Sequence, residues 1–163
     1  MARLLIVHHS PTGSAGSLAD SVVEGAHDDA LEGVEVVVRA ALEATPADVL
    51  AADGYLLGTT ANFGYMSGAL KHFFDTVFLE AGGALSDDGS AAGGGAAGPR
   101  KPFGLWVHGR YDTTGAVRSV LSIVGALGWR QSAEILEVLG EVGHEQQKAA
   151  YELGGTVAAV LMG

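Results

Sequence analysis

Short apolar runs alternate with longer amphipathic stretches along this chain, and the alternation constrains the fold more than any other feature. Runs such as Leu4–Val7 and Val34–Val38 have the length and branching typical of buried strands. Between Met66 and Leu79, apolar residues such as Leu70 and Phe74 recur at helical spacing. Strands that alternate with helices predict an α/β fold with a parallel sheet covered on both faces.

The same pattern divides the rest of the chain. The predicted strands are Leu4–Val7, Val34–Val38, Tyr55–Leu57, Phe103–Val107 and Ser132–Leu139. The predicted helices are Ser17–His27, Pro46–Ala51 (a short helix or a turn), Met66–Leu79, Ala116–Leu127 and Glu145–Leu161. Ligands of such sheets bind beyond the carboxyl ends of the strands, so the loops that follow strands are the candidate sites.

Composition limits the classes of function. The 163 residues are 48% apolar and 17% charged, which predicts one globular domain over residues 1–163. The chain has 9 Lys and Arg against 19 Asp and Glu, a balance that argues against binding nucleic acid. With no cysteine there are no thiolate metal sites, no metal centre is expected, and redox chemistry requires a bound cofactor.

The apolar run near the amino terminus is short. Leu4–Val7 has four residues, too few for the core of a signal peptide or for a membrane span. We therefore expect a cytoplasmic protein without a membrane span.

The loop after the first predicted strand has the composition of a phosphate site. Hydroxyl groups of Ser10, Thr12, Ser14 and Ser17 supply donors, and Gly13 allows the backbone to approach a ligand. Backbone N–H groups at the start of a helix add further donors and a favourable dipole. The absence of Lys and Arg here disfavours a nucleoside triphosphate. An ordinary helix N-cap explains the same residues and stays open as an alternative.

Two more loops follow predicted strands. In Thr59–Met66, Asn62 and Gly64 suit unusual backbone angles, while Phe63 and Tyr65 are placed to pack against a flat ring system or, alternatively, to cover the core.

The third of these loops, His108–Gly115, also opens a helix. Gly109 would allow close approach to a ring edge, and Arg110 would offset negative charge. Asp112 or Thr114 is a candidate N-cap. His108 is a candidate to donate a proton or orient a substrate, with a purely structural role as the alternative.

The segment from about residue 81 to residue 99 has no periodicity. It contains Gly93–Pro99, a run of glycine and alanine that ends in proline. Such composition predicts a mobile loop or lid.

Two of these loops resemble those of a known family. Ser10, Thr12 and Gly13 match the Ser/Thr-x-Thr-Gly-x-Thr phosphate loop of flavodoxins. Thr60–Gly68 is similar to the Phe-Gly-x-Met-Ser-Gly stretch of flavodoxin-like quinone reductases and NAD(P)H-dependent FMN reductases. Ala15 departs from the pattern, since it replaces the last hydroxyl of the phosphate loop, and the third loop does not match the tetrameric quinone reductases.

The resemblance implies a three-layer, doubly wound, flavodoxin-like fold with five parallel strands in the order 2-1-3-4-5, and noncovalently bound FMN. Residues implied at the phosphate are Ser10, Thr12, Gly13, Ser14 and Ala15. Residues implied around the ring are Ala61, Asn62, Phe63, Gly64 and Tyr65 on one side, and Gly109, Arg110, Tyr111 and Asp112 on the other.

Three functions remain open. The first is an NAD(P)H-dependent oxidoreductase that reduces a quinone or a free flavin through FMN, with NAD(P)H as a partner. The second is a flavodoxin-type carrier that passes electrons to a redox protein. The third is a cofactor-free interaction module on the same fold. Assembly into a homo-oligomer is open for all three.

Overall fold

Parallel pairing joins the buried strands into one sheet in the computed structural model, which describes residues 1–90 and 100–163. The strands are β1 (Ala2–His8), β2 (Val34–Ala40), β3 (Gly54–Asn62), β4 (Tyr65–Met66), β5 (Pro102–Gly109), β6 (Arg130–Gln131) and β7 (Leu136–Leu139). The helices are α1 (Gly13–Ala26), α2 (Pro46–Ala51), α3 (Gly68–Val77), α4 (Thr114–Ala126) and α5 (His144–Leu161).

The strand order confirms the predicted topology. The sheet runs β2-β1-β3-β5, and both β6 and β7 pair in parallel with β5. When the parallel strands alone are numbered, β5 is the fourth strand, and β6 and β7 together take the fifth position. The order is then the predicted 2-1-3-4-5. The short β4 is antiparallel to β3 and forms a hairpin with it.

Helices cover both faces of the sheet and bury two separate cores. On one face, α1 and α5 pack on Ile6 and Trp106. On the other face, α2, α3 and α4 pack on Leu57 of β3, and α3 contributes the buried rings of Phe73 and Phe74. The β-branched and leucine side chains of the strands fill both cores, as expected for a parallel sheet covered on two sides.

Glycine lets α1 and α5 approach until their backbones touch. A Cβ atom added to Gly25 would lie 1.9 Å from the carbonyl oxygen of Tyr151, and one added to Gly154 would lie 2.0 Å from that of Val22. Neither position has room for any side chain, so these two glycines set the distance between the helices.

The predicted starts of α1 and α3 were wrong. Helix α1 begins at Gly13 rather than Ser17, because the Thr12 side chain caps it by accepting a hydrogen bond from the Ala15 N–H at 3.2 Å. Met66 lies in β4, not in the helix, which begins at Gly68.

Of the predicted strand Ser132–Leu139, only Leu136–Leu139 forms a strand, and the preceding β6 ends at Gln131. There the Ser132 N–H and hydroxyl both donate to the carbonyl of Phe103, at 3.0 and 3.1 Å. These two bonds replace regular ladder pairing until Leu136, where β7 begins.

The predicted lid falls mainly outside the described part of the chain. Residues 91–99, which contain most of the glycine and alanine run, are not described, while residues 81–90 form turns that are mostly exposed. In the part of the chain that the structure describes, no helix has the length and apolar character needed to cross a membrane.

Candidate functional site

The carboxyl ends of β1, β3 and β5 bring the three predicted loops to one edge of the sheet. The parallel register pairs His8 with Gly58 and Thr60 with His108, so the strands end at similar levels. Loops two and three also touch, because a Cβ added to Gly115 would lie 1.9 Å from the carbonyl oxygen of Gly64. We call this region the carboxyl edge.

The first loop presents donors that have no acceptor. The N–H groups of Thr12, Gly13 and Ser14 lie at the start of α1, and none donates to an acceptor in residues 1–90 or 100–163. Helix N-termini leave such groups available for water or an anion. An added Cβ on Gly13 would meet no atom within 4 Å, so packing within the described protein gives no reason for glycine there.

The remaining predicted residues of this loop have mixed environments. Ala15 is buried against the core and offers only its N–H, which already bonds to Thr12. Ser10 and Ser14 are half-buried, and Ser17 is held by a hydrogen bond of 2.7 Å from Gln147 of α5. Ser17 therefore points toward α5 and is a poor substitute for the missing loop hydroxyl.

The second loop is a tight hairpin. Phe63 and Gly64 join β3 to β4 with positive φ angles of 51° and 79°, the combination of a type I′ turn. A bulky residue rarely adopts this conformation. Phe63 is fully exposed and Tyr65 is 44% exposed, so neither ring serves mainly to cover the core.

Side chains below the turn hold the hairpin in place. The buried Thr59 hydroxyl accepts from the Ser67 N–H at 2.9 Å and donates to the Thr60 carbonyl at 2.8 Å. The Thr60 hydroxyl donates to the Asn62 side-chain oxygen at 2.9 Å. Ala61 is half-buried at the base. These hydrogen bonds hold the base of the hairpin in place beneath its exposed tip.

The third loop carries the cation of the site. Arg110 donates to the Tyr111 hydroxyl at 3.2 Å, with its guanidinium 5.6 Å from the centre of that exposed ring. Asp112 accepts from the Thr114 N–H at 2.9 Å, and this bond lowers the pKa of Asp112. Gly109 is tightly packed, since an added Cβ would lie 3.1 Å from the Ala61 side chain.

His108 is tied to the neighbouring strand end. Its Nε2 lies 2.7 Å from the Gly140 carbonyl oxygen, a contact that requires the ring to donate from Nε2. This bond joins the end of β5 to the end of β7. The geometry therefore favours the structural alternative for His108 over a role in proton transfer.

Two residues at this edge were missed by the predictions. His8, the last residue of β1, has Nδ1 2.8 Å from the Ser10 hydroxyl oxygen. Glu137 of β7 accepts a hydrogen bond of 2.7 Å from the buried Thr113, the residue that precedes α4. Both are polar residues at strand ends, but only the fold shows which loop each one contacts.

The donor set fits a phosphate monoester joined to a flat ring. Uncharged N–H and hydroxyl donors meet at the α1 N-terminus, and exposed aromatic rings lie on the two neighbouring loops. Arg110 is the one Lys or Arg within 9–17, 59–67 and 108–115. Among the described residues, no three His, Asp or Glu side chains cluster in a way that would hold a metal ion.

Known proteins that match this chain include two partial relatives. Flavodoxin of Aquifex aeolicus is 39% identical over 92 residues, which are 56% of this chain and 48% of that protein. The NAD(P)H dehydrogenase (quinone) of Acidithiobacillus ferrooxidans is 32% identical over 95 residues, covering 46% of each protein. The chain thus spans about half the length of the curated relatives it matches. No family model matches it.

Solved structures extend the similarity to the whole fold. A flavodoxin from the domain Archaea superposes with a TM-score of 0.78, covering 99% of both chains at 14% identity. At that identity the match establishes the architecture alone, and it agrees with the strand order above.

Proposed function

Because the chain has the fold of flavodoxins, we propose that it is an FMN-binding flavoprotein oxidoreductase. The observation that carries the proposal is the group of donors at the start of α1 that have no acceptor among the described residues, with the exposed Phe63 on the loop after the neighbouring strand β3. A phosphate dianion needs several donors, and a helix N-terminus supplies them together with a favourable dipole.

The residues around the donors have the chemistry for the rest of the cofactor. Ser10, Thr12, Gly13 and Ser14 would hold the phosphate through N–H and hydroxyl groups. The exposed Phe63 would contact one face of the ring system, for which its position at the hairpin tip gives it access.

The second and third loops would surround the ring. The residues proposed there, with Phe63, are Ala61, Asn62, Gly64, Tyr65, Gly109, Arg110, Tyr111 and Asp112. Arg110 would offset negative charge that develops on the ring, and its contact with Tyr111 fixes the guanidinium near the surface of the loop. FMN, when bound, supplies the redox chemistry, while the protein orients it and tunes its electronics.

We propose NAD(P)H-dependent reduction of a quinone or a free flavin as the reaction. Two observations support it: the Thr60–Gly68 stretch resembles the reductases, and a relative is a quinone dehydrogenase. The open carboxyl edge, with exposed rings on two loops, gives a planar substrate access to the position proposed for FMN.

Electron transfer as a flavodoxin-type carrier is the second candidate. It is supported by the relative that is 39% identical and bears the name flavodoxin. The formal charge of −10 is also suited to docking onto a basic redox partner.

Titration of the purified protein with FMN and with riboflavin tests the cofactor. We expect FMN to bind with a shifted flavin absorbance, and riboflavin to bind about 100-fold more weakly because it lacks the phosphate, a loss equivalent to about 3 kcal/mol. Equal affinities would contradict a phosphate site at α1, and no binding would contradict the proposed function.

Anaerobic mixing with nicotinamide nucleotides separates the two candidates. The reductase predicts that NADH or NADPH bleaches the flavin absorbance within seconds, whereas the carrier predicts slow bleaching and reduction by dithionite in two resolved one-electron steps. An Arg110→Gln variant should slow the bleaching, with Arg130→Gln, an exposed arginine of β6, as the matched control.

A further inference from the structure

His8 stands directly beneath the proposed phosphate loop. It is the last residue of β1, it is half-buried, and its Nδ1 lies 2.8 Å from the Ser10 hydroxyl oxygen. Its ring centre is 6.0 Å from that of the buried Trp106. The contact to Ser10 therefore lies at the boundary between the core and the loop.

The surroundings of His8 favour its neutral form. Burial lowers its pKa from the usual 6.5, and the neighbouring His9 lowers it further, while Asp20 of α1 acts in the opposite direction. The strands on either side place Ala40 and Gly58 opposite His8, and neither has a charged side chain. Other titratable groups on the adjoining elements are Arg39 near the end of β2, His108 near the end of β5, and His144 and Glu145 in the first turn of α5.

The presence or absence of a proton on His8 Nδ1 decides where the Ser10 hydroxyl points. When Nδ1 carries no proton, it accepts the hydroxyl hydrogen of Ser10 and turns that donor away from the loop. When both ring nitrogens are protonated, Nδ1 donates to the Ser10 oxygen, and the hydroxyl hydrogen is available to an anion. The charged ring also attracts an anion directly, in a loop that has no Lys or Arg.

We propose that His8 is a positioning residue for Ser10, and that a phosphate group bound in the loop draws a proton from solvent onto the His8 ring. This inference rests on the proposed binding of FMN. It makes cofactor binding and proton uptake parts of one equilibrium. His8 is then the titratable group that replaces the missing cation of the loop.

The sign of the coupling follows from linkage. Since bound phosphate raises the pKa of His8, binding takes up a proton between the lowered pKa of the free protein and the higher value of the complex. Affinity contributed by His8 therefore increases as the pH falls through that interval. For one proton, the increase has an upper limit of about tenfold per pH unit.

FMN affinity of the wild-type protein and of His8→Asn, measured between pH 7.5 and 5.5, tests the proposal. The asparagine amide reaches the Nδ1 position and can donate to Ser10, but it does not titrate. The ratio of the two affinities cancels the titration of the phosphate itself. We expect the ratio to change by about three- to tenfold in favour of the wild type as the pH falls.

Two further measurements do not depend on that ratio. NMR titration of the His8 ring should show a higher pKa with FMN than without it. Calorimetry in buffers of different ionisation enthalpy should detect proton uptake by the wild type and none by His8→Asn. His8→Phe should bind FMN about three- to tenfold more weakly than the wild type at pH 5.5 and about equally at pH 7.5, because it loses only the contribution of the protonated ring.

Controls separate this proposal from the proposed function. His9→Asn, a neighbour without a side-chain hydrogen bond in the described residues, should keep the pH-dependent affinity of the wild type, moved slightly to higher pH because His9 no longer lowers the pKa of His8. Riboflavin affinity should not depend on residue 8. If the wild type binds FMN but shares the pH profile of His8→Asn, or if riboflavin shows the same dependence, the role of His8 is wrong and FMN binding stands. If the wild type binds no FMN, both proposals are wrong.

Discussion

At the amino edge of the sheet, side chains bond the backbone groups near the strand starts, whereas at the carboxyl edge the backbone donors at the start of α1 are left open. Near the amino edge, the Arg3 N–H donates to Asp53 at 2.8 Å, and Lys101 donates to the Ala52 carbonyl at 2.6 Å. The Tyr55 hydroxyl donates to the Val49 carbonyl at 2.8 Å. At the carboxyl edge, donors at the start of α1 have no such partner in the described residues.

The two edges also use aromatic rings differently. At the amino edge, Tyr55 and Trp129 stack with their ring centres 3.8 Å apart, and both are buried. At the carboxyl edge, Phe63 and Tyr111 are exposed. Buried rings and satisfied bonds stabilise a fold, while exposed rings and donors that only water satisfies stay available to a ligand. The comparison supports a structural role for the amino edge and the proposed ligand binding at the carboxyl edge.

The largest expected effect is a loss of stability at the amino edge that leaves FMN affinity unchanged. Trp129→Ala removes a buried, stacked ring and should lower the free energy of unfolding by about 3–5 kcal/mol, measured by urea denaturation. FMN affinity below the unfolding transition should not change, because Trp129 lies at the opposite edge from the proposed site.

Leu50→Ala is the matched control for this variant. Leu50 lies near the same edge and is 58% exposed, so its loss should cost less than about 0.5 kcal/mol. A parallel fall of stability and FMN affinity in Trp129→Ala would show that the edges are not independent.

At the start of α1 we expect the opposite result, a loss of FMN affinity without a loss of stability. Ser14→Asp places a carboxylate among the unpaired donors, where it favours the helix dipole, so the ligand-free protein should keep or slightly gain stability. FMN affinity should fall about 100-fold, or ~3 kcal/mol, through repulsion of the phosphate. Absorbance titration measures the affinity and urea denaturation the stability.

Ala47→Asp provides the control for the added charge. Ala47 is an exposed residue in the first turn of α2, so the dipole argument applies equally there. Its FMN affinity should match the wild type. If Ser14→Asp binds FMN as tightly as Ala47→Asp, the phosphate is not bound at α1.

The position of the three loops at the carboxyl edge could be predicted from the sequence because each loop is contiguous in the chain. Apolar periodicity located the strands and helices, including α2 at Pro46–Ala51, and every predicted loop follows a strand. The early start of α1 was missed because Gly13 and Gly16 interrupt the apolar pattern. The hairpin was missed because the two residues of β4 are too few to show a period.

Contacts between distant segments could not be read from the sequence. The bond between Thr113 and Glu137 joins residues 24 positions apart, and the pairing of His108 with Gly140 spans 32. The contact between His8 and Ser10 is local, but His8 continues an apolar strand pattern that gives no hint of its polar partner. The roles of the site residues stay predictions.

A smaller effect is expected at the hairpin tip, where stability should rise while FMN affinity falls. Phe63→Asn creates an Asn-Gly pair, the preferred sequence for a type I′ turn, and should raise the free energy of unfolding by about 1 kcal/mol. FMN affinity should fall about three- to tenfold because the ring is lost. Phe63→Tyr keeps the ring and the φ angle and should change neither. A variant that gains stability without losing affinity would show that Phe63 does not contact the cofactor.

The smallest effect is expected near the amino edge, at a hydrogen bond between α5 and the residue region that follows α1. Tyr151 of α5 donates a hydrogen bond to Asp28, which follows α1, and this bond lowers the pKa of Asp28 below its usual 3.8. A carboxyl group with a lowered pKa stabilises the fold above that usual value, and its contribution disappears as the pH falls through the lowered one. Tyr151→Phe should therefore be slightly less stable than the wild type from pH 7 to pH 5, and the difference should vanish in stronger acid.

Asp29→Asn, which alters a carboxyl group without a hydrogen bond in the described residues, should show no such dependence. FMN affinity should be equal in all three proteins, since the bond lies far from the open donors; a loss of affinity in Tyr151→Phe would mean that the contact between α1 and α5 transmits changes to the start of α1.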